Sequence, residues 1–295
     1  MKNNYNKTYE SYVKRLEERL EVECKLRFAA NSSVGKAAHY SLMAGGKRVR
    51  GVLVLAFCDL LGGNSEAAEG FGAAIEMLHC YSLIHDDLPC MDNADTRRGK
   101  LSCHKKFSEA TALLAGDALL TAAFEVLVCS AISADQQAEA CRCLACAAGG
   151  RGMVYGQELD LAFEHKQPTE EDLVRIHNHK TGDLIHAAGL LGVNSAVHTP
   201  KDLAEASAYT RAIGLVFQIV DDVLDCTASQ EELGKPTGSD AAAGKLTFAT
   251  IHGVDAAMER AERLTEEACQ RLSLAYGEKA DFLVTFARSL VVRKK

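Results

Sequence analysis

Apolar positions along this chain recur mostly at helical spacing, within long segments rich in Ala, Leu and Glu. Only 4 prolines interrupt the chain, and the common residues are strong helix formers. The pattern predicts helices over residues 8–28, 33–43, 49–61, 65–88, 109–132, 135–157, 170–192, 201–225, 255–274 and near 278–290. No strand–turn–strand or βαβ alternation is visible, so the sequence predicts an all-α fold.

Capping residues support several of these helix boundaries. Ser108 and Thr169 precede helical segments with acidic residues in the first turn, and Thr199 is followed by Pro200 at the first helical position. Residues 62–64, Gly-Gly-Asn, are typical of one helix ending and the next beginning. Helix starts are therefore predicted at 109, 170, 200 and 65.

The chain carries no Pro-, Ser- or Gly-rich linker that would divide it. Segment 65–88 is apolar nearly all round, which is typical of a core helix. We therefore expect residues 1–295 to form a single domain, a helical bundle around a large central cavity.

Composition narrows the possible functions. The net charge is -7 and 47% of the 295 residues are hydrophobic, so no general basic field attracts nucleic acid. No apolar stretch is expected to span a membrane, because each is short or interrupted by charge. The 11 cysteines form no disulfide-like framework, which favours a reduced, cytoplasmic location.

Two acidic clusters, each following an apolar helical segment, dominate the candidate chemistry. The first contains Asp86, Asp87 and Asp92. Three carboxylates at the end of a buried helix repel one another and resist desolvation. A divalent metal removes this repulsion, and carboxylates with few other ligands suit Mg²⁺ bridging to substrate phosphates. A surface salt-bridge patch with the following Arg97 and Arg98 is the alternative.

The second acidic cluster contains Asp221, Asp222 and Asp225. Spacings of three and four residues place these carboxylates on one helix face. A solvated run of aspartates is the alternative, but the flanking residues are apolar. With both clusters at one end of the central cavity, the carboxylates are expected to act together on a diphosphate.

Cations accompany the acids. Lys47 and Arg50 follow a glycine pair, where the backbone can approach an anion, although a solvated charge run is the alternative there. His79 lies two helical turns before Asp86, and Lys180 begins a Lys-Thr-Gly sequence. The carboxylates can bind a metal ion, the neighbouring cations can bind phosphate, and no nucleophile with its base is evident. This combination favours a reaction in which diphosphate is the leaving group.

Five motifs taken in order resemble the trans-prenyl diphosphate synthases, most nearly the bacterial farnesyl diphosphate synthase (geranyltranstransferase) type. The resemblance covers residues 40–250. Its motifs are Gly45-Gly46-Lys47-Arg48-Val49-Arg50, Asp86-Asp87-x4-Asp92 with Arg97-Arg98-Gly99, Gly156-Gln157, Lys180-Thr181-Gly182 and Phe217-Gln218-x2-Asp221-Asp222-x2-Asp225. Gly51 departs from the family pattern, which usually has Pro there, and Ala94 interrupts the acid run after Asp92.

The resemblance implies the isoprenoid synthase fold, a homodimer, and the binding of three Mg²⁺ per active site. The implied metal ligands are Asp86, Asp92 and Asp221, supported by Asp87, Asp222 and Asp225. The positions that hold the allylic diphosphate are Arg97, Lys180, Thr181, Gln218 and Lys235. The positions of the isopentenyl diphosphate pocket are Lys47, Arg50, His79 and Arg98. Of these residues, Asp86, Asp92, Arg97, Lys180 and Asp221 are the implied catalytic group.

The implied reaction condenses isopentenyl diphosphate with dimethylallyl or geranyl diphosphate to give farnesyl diphosphate and free diphosphate. Tyr81 and Ser82, five and four residues before Asp86, are expected to set product length. The Tyr81 ring is expected to close the bottom of the cavity and so act as its floor; the alternative is that Tyr81 only packs between helices. A geranylgeranyl diphosphate synthase is the alternative within the family. A terpene cyclase and a non-catalytic partner subunit are alternatives from other classes.

Overall fold

The computed structural model describes residues 2–163, 166, 168–227 and 247–293. Within these residues the elements, in chain order, are α1 Lys2–Arg27, α2 Ser33–Leu42, α3 Val49–Leu61, α4 Ser65–Asp86, β1 Thr96–Arg97, β2 Lys100–Leu101, α5 Cys103–Lys106, α6 Glu109–Val128, α7 Ala134–Ala148, α8 Met153–Phe163, α9 Glu170–His177, a π-helical turn Asn178–Gly182, α10 Asp183–Asn194, α11 Pro200–Thr227, α12 Phe248–His252, α13 Val254–Tyr276, a 3₁₀ turn Gly277–Ala280 and α14 Asp281–Val291. The predicted all-α class is confirmed.

Helix ends follow the capping residues named in the sequence. Ser108 accepts a hydrogen bond from the Thr111 N–H at the start of α6, and Thr169 forms a reciprocal capping box with Asp172 at the start of α9. Gly62 ends α3 in the left-handed conformation, with φ of 65°. These local interactions explain why the end of α3 and the starts of α6 and α9 were predictable.

Two predicted helices are interrupted in the structure, and a hairpin that was not predicted is present. The helix expected over 135–157 is two helices, because the glycines at 149, 150 and 152 separate α7 from α8. The helix expected over 170–192 contains the π-helical turn. A two-residue hairpin, β1 with β2, was not expected; Arg98 and Gly99 both have positive φ (52° and 73°) in its turn, as a tight hairpin requires.

The chain divides into two compact units, Met1–Arg142 with Leu191–Val197, and Cys143–Leu190 with His198–Lys295. In the first unit, α4 packs against α1, α2, α3 and α6. Its side chains are buried on all sides, as its apolar pattern predicted. In the second unit, α11 packs against α13, α14 and the π-helical turn. Each unit is therefore organised around the helix that ends in, or carries, one acidic cluster.

Helix α6 qualifies the expectation that no segment resembles a membrane span. By length and composition alone, this helix could cross a membrane. In the structure, 44% of its most apolar stretch of 18 residues is buried. It packs against α4 and α2. A core helix of a soluble protein passes the same test, so this one helix is weak evidence for a membrane span.

All 11 cysteines are free thiols. No three His, Cys, Asp or Glu side chains are grouped as a metal cage anywhere in the described part of the chain.

Gly51, which departs from the family pattern, has a specific role at the start of α3. Its N–H donates a hydrogen bond to Oε1 of Glu76 at 3.0 Å, and Glu76 is 2% exposed. A Cβ at this position would lie 2.8 Å from Cδ1 of Leu16. A proline at this position would remove the N–H that donates to Glu76, and its Cβ would clash with the Leu16 side chain.

We expect Gly51→Pro to lower the free energy of unfolding by about 3 kcal/mol, because it leaves a buried carboxylate short of a donor and overpacks the core. Urea unfolding measures this change. Gly51→Ala is the matched control, since it adds the Cβ but keeps the N–H. Equal losses in the two variants would show that the hydrogen bond to Glu76 contributes nothing.

Candidate active site

The first acidic cluster lies where α4 ends. Asp86 is the last residue of α4, and the loop that follows turns back so that the Asp92 N–H donates to the Asp86 carbonyl at 2.9 Å. Asp86 is half-buried and Asp92 is exposed. The loop thus folds Asp92 back towards Asp86, and both residues lie at one helix end.

Asp87 has a different environment from its neighbours. It is 2% exposed, and Nε of Arg97 donates to both of its oxygens at 3.0 and 3.3 Å, with Nη2 donating to Oδ1 as well. Burial by itself would lower the pKa of Arg97, but the hydrogen bond and charge of Asp87 raise the pKa above its ordinary value. Asp87 therefore fixes the orientation of a permanently charged guanidinium on the hairpin strand β1.

The cations around residues 45–50 are divided between interior and surface. Arg48 is 3% exposed; it donates to the Leu42 carbonyl at 2.7 Å and lies 3.6 Å from Glu76 Oε2. Lys47 is exposed and Arg50 is half-buried. The three cations are therefore not all solvated, because the middle one, Arg48, is a core residue between Lys47 and Arg50 in the sequence.

His79 and Arg98 lie beside these cations. Arg98 donates to the Gly45 carbonyl. Burial, with the nearby positive charges of Arg50 and Arg98, holds the pKa of His79 well below its ordinary value. The His79 imidazole is therefore neutral at pH 7, and it can accept or donate a proton in a hydrogen bond without adding charge.

The second acidic cluster, on α11, faces in two directions. The Asp221 side chain is 43% exposed and receives a 2.6 Å hydrogen bond from Nη2 of Arg293. Asp222 is 3% exposed and accepts from Nε2 of Gln218 and from the Phe248 N–H, both at 3.0 Å. As their spacing predicts, the three aspartate positions fall within an arc of about 100° around the helix. Asp222 lies at the buried edge of that arc, where protein donors bind both of its oxygens.

The Lys-Thr-Gly sequence forms the π-helical turn. Lys180 Nζ donates to Asp160 Oδ2 at 2.6 Å, and Thr181 Oγ1 donates to Gln218 Oε1 at 3.3 Å. Gly156 permits this packing, since a Cβ there would lie 2.1 Å from the Lys180 nitrogen. Single π-helical turns often occur at functional sites, and this one brings Lys180 and Thr181 against α8 and α11.

Tyr81 is 7% exposed on α4, and its ring meets His85 edge-on with centroids 5.6 Å apart. Burial raises the pKa of its hydroxyl. Ser82 donates back to the His79 carbonyl at 2.9 Å. The two residues lie five and four positions before Asp86, the last residue of α4, and Tyr81 has the larger side chain.

Two residues that contact the predicted set were not identified from the sequence. Asp160 binds Lys180, and His177 lies 3.5 Å from Asp222. Asp160 is distant in sequence from its partner, and His177 had no motif to mark it beyond its place three residues before Lys180. The predicted Lys235 lies outside the described residues.

An all-α protein with acidic helix ends beside fixed guanidinium and ammonium groups is of the class that acts on diphosphates. Residues 31–280 match the polyprenyl synthetase family. The chain belongs to this family, so it is a prenyltransferase of isoprenoid biosynthesis with the isoprenoid synthase fold.

Individual relatives agree with this assignment. The farnesyl diphosphate synthase of Micrococcus luteus is 47% identical over 238 residues, covering 80% of this chain and 82% of that protein. Geranylgeranyl pyrophosphate synthase 3, chloroplastic, of Arabidopsis thaliana is 46% identical over 267 residues, covering 88% and 74%. The geranyltransferase of Helicobacter pylori, solved with magnesium and isoprenyl diphosphate, has a TM-score of 0.83 and 33% identity over 96% of this chain and 97% of that one.

Proposed function

We propose that this prenyltransferase condenses isopentenyl diphosphate with dimethylallyl or geranyl diphosphate to form farnesyl diphosphate, with release of diphosphate. The observation that carries the proposal is the end of α4. There, Asp86 and Asp92 are drawn together by a backbone hydrogen bond, and Arg97 is oriented beside them by Asp87. Carboxylates for metal and a fixed cation for phosphate are thus adjacent in one unit.

The carboxylates fit Mg²⁺ in their chemistry, since it takes hard oxygen ligands and uses one or two carboxylates together with substrate phosphates. We propose Asp86, Asp92 and Asp221 as direct ligands, with Asp225 in support, and three ions per active site. When bound, the ions would neutralise the charge that develops on the departing diphosphate.

The protein's own cations complete the binding of both substrates. Arg97 and Lys180 hold the allylic diphosphate through charge-assisted hydrogen bonds, with Thr181, Gln218 and Lys235 alongside. Lys47, Arg50 and Arg98 hold isopentenyl diphosphate, and neutral His79 orients it. With the leaving group held, the isopentenyl double bond attacks the allylic carbon and a proton is lost, in surroundings that exclude water.

We further propose that the two units act as the single catalytic domain predicted over residues 1–295, and that the enzyme is a cytoplasmic homodimer. Its 11 free thiols suit a reducing compartment.

The second candidate product is the twenty-carbon geranylgeranyl diphosphate. Relatives with that name in Arabidopsis thaliana match this chain as closely as the Micrococcus farnesyl diphosphate synthase does. Tyr81 favours the shorter product, because a bulky ring near the start of the elongation path limits chain growth.

A product assay tests both proposals. Purified protein is incubated with Mg²⁺, isopentenyl diphosphate and either dimethylallyl or geranyl diphosphate, and prenyl chains are identified by mass. Fifteen-carbon chains support the farnesyl proposal, and twenty-carbon chains support the alternative. Cyclised hydrocarbon from geranyl diphosphate alone, or no product from any pair of substrates, would overturn both. Omitting Mg²⁺ is expected to abolish product.

A further inference from the structure

Helix α11 carries two polar faces with different partners. Asp221 and Asp225, four residues apart, are both partly exposed. Gln218 and Asp222, also four residues apart, are bonded to each other. The second acidic motif is therefore divided between a partly exposed side, where Arg293 binds Asp221, and a buried side, where protein donors bind Asp222.

The buried side forms a continuous chain of contacts. One Asp222 oxygen accepts from Gln218 Nε2 at 3.0 Å, and the other from the Phe248 N–H at 3.0 Å, the first free donor of α12. A carboxylate only accepts hydrogen bonds, so the Gln218 amide must direct its NH₂ group towards Asp222 and its oxygen Oε1 away from it. Oε1 accepts a hydrogen bond from the Thr181 hydroxyl at 3.3 Å.

His177 closes the space behind this carboxylate. Its side chain is 11% exposed, and its Nε2 lies 3.5 Å from Asp222 Oδ2, beyond hydrogen-bond distance and without another hydrogen-bond partner. Its ring lies at 29° to that of Phe248, with centroids 5.6 Å apart. His177 is the last residue of α9. Its ring therefore lies near the Asp222 carboxylate, and its backbone continues directly into the π-helical turn.

We propose that His177 and Asp222 are positioning residues, which act through Gln218 to hold Thr181 and the π-helical turn in place for the allylic diphosphate. Asp222 binds no metal ion in this assignment. The inference rests on the proposed function for the identity of the ligand, and it replaces the supporting metal role that the resemblance implied for Asp222.

Metal binding is tested without turnover. Mn²⁺ replaces Mg²⁺ as a spin probe, and bound ions are counted by electron paramagnetic resonance on the full chain with saturating inorganic diphosphate. Asp222→Asn is expected to bind as many ions as the wild type, whereas Asp221→Asn binds fewer. A reduced count in Asp222→Asn, matching that of Asp221→Asn, would overturn the assignment.

Kinetics tests positioning. In Asp222→Asn, the KM for geranyl diphosphate is expected to rise about tenfold, the effect of one lost hydrogen bond to a charged group, with the KM for isopentenyl diphosphate unchanged. His177→Gln is expected to raise the same KM by less, because the ring packs against Phe248 and lies near Asp222 without a hydrogen bond. His186→Gln is the matched control: this half-buried histidine bonds Thr210 in the same unit, and its loss should affect thermal stability alone. Equal rises in both KM values, or no rise in either variant, would contradict the proposal.

A double-mutant cycle separates positioning from general damage. If Asp222 acts through Thr181, then Thr181→Val with Asp222→Asn raises the KM for geranyl diphosphate no further than the larger single change. Fully additive effects would refute the connection. If the wild type forms no prenyl product, the proposed function fails, while the Mn²⁺ count still decides the role of Asp222.

Discussion

Replacing Asp86 or Asp221 with alanine is expected to lower the rate of prenyl transfer by on the order of 10³-fold, the scale of losing a main stabiliser of transition-state charge. Asp86 lies at the end of α4, with Asp92 folded back onto it. Asp221 is 43% exposed on the partly exposed side of α11. Each carboxylate is accessible, so its proposed partner is a metal ion on the leaving diphosphate, where an ion contributes several kcal/mol.

The rate at saturating substrates measures this effect, and thermal unfolding shows whether the fold persists. Asp255→Ala is the matched control, because Asp255 is an exposed carboxylate in the first turn of α13. Its loss removes only a helix-dipole interaction of about 0.3–1 kcal/mol, so the rate should not change. Near-full activity in either Asp86→Ala or Asp221→Ala would show that the metal assignment is wrong.

Replacing Tyr81 with alanine is expected to lengthen the product from fifteen to twenty or more carbons. The ring is 7% exposed and braced edge-on by His85, one turn before Asp86 on the same helix. Removing it opens space of about a phenol ring next to the end where the diphosphate is proposed to bind. A growing chain can then extend past α4 before release.

Mass analysis of the released chains measures the change. Tyr81→Phe keeps the ring and is expected to leave product length unaltered. Since truncating a buried aromatic costs about 3–5 kcal/mol of stability, the assay is run well below the melting temperature of the variant. The floor role is refuted if Tyr81→Ala and the wild type release chains of the same length.

The helices were predictable wherever local signals agreed. The interval 49–61 matches α3 residue for residue, because a mainly apolar segment ends at Gly62. Errors arose where local signals competed. The glycines at 149–152 broke one predicted helix, and a π-helical turn entered another. The Arg98-Gly99 pair made a hairpin too short to show any alternation.

The residue types of the candidate site and their order along the chain were predictable. The burial of each side chain and its hydrogen-bond partners were less predictable. Asp87 and Asp222 have the same sequence context as their neighbours, yet both are buried. Their partners, Arg97 and the Phe248 N–H, lie 10 and 26 residues away. Arg293 reaches Asp221 from 72 residues away, and no spacing rule connects them.

By itself, the sequence determined the all-α class, the helix ends and the acidic and basic groups that define a prenyltransferase, because helix hydrogen bonds and caps join residues within about one turn. Only the tertiary structure decided which aspartates stay partly exposed, as Asp86 and Asp221 do, and which are buried among protein donors, as Asp222 is. That choice depends on the rotation of each helix against its neighbours. Burial then makes a protein partner obligatory, since an unpaired buried carboxylate costs several kcal/mol.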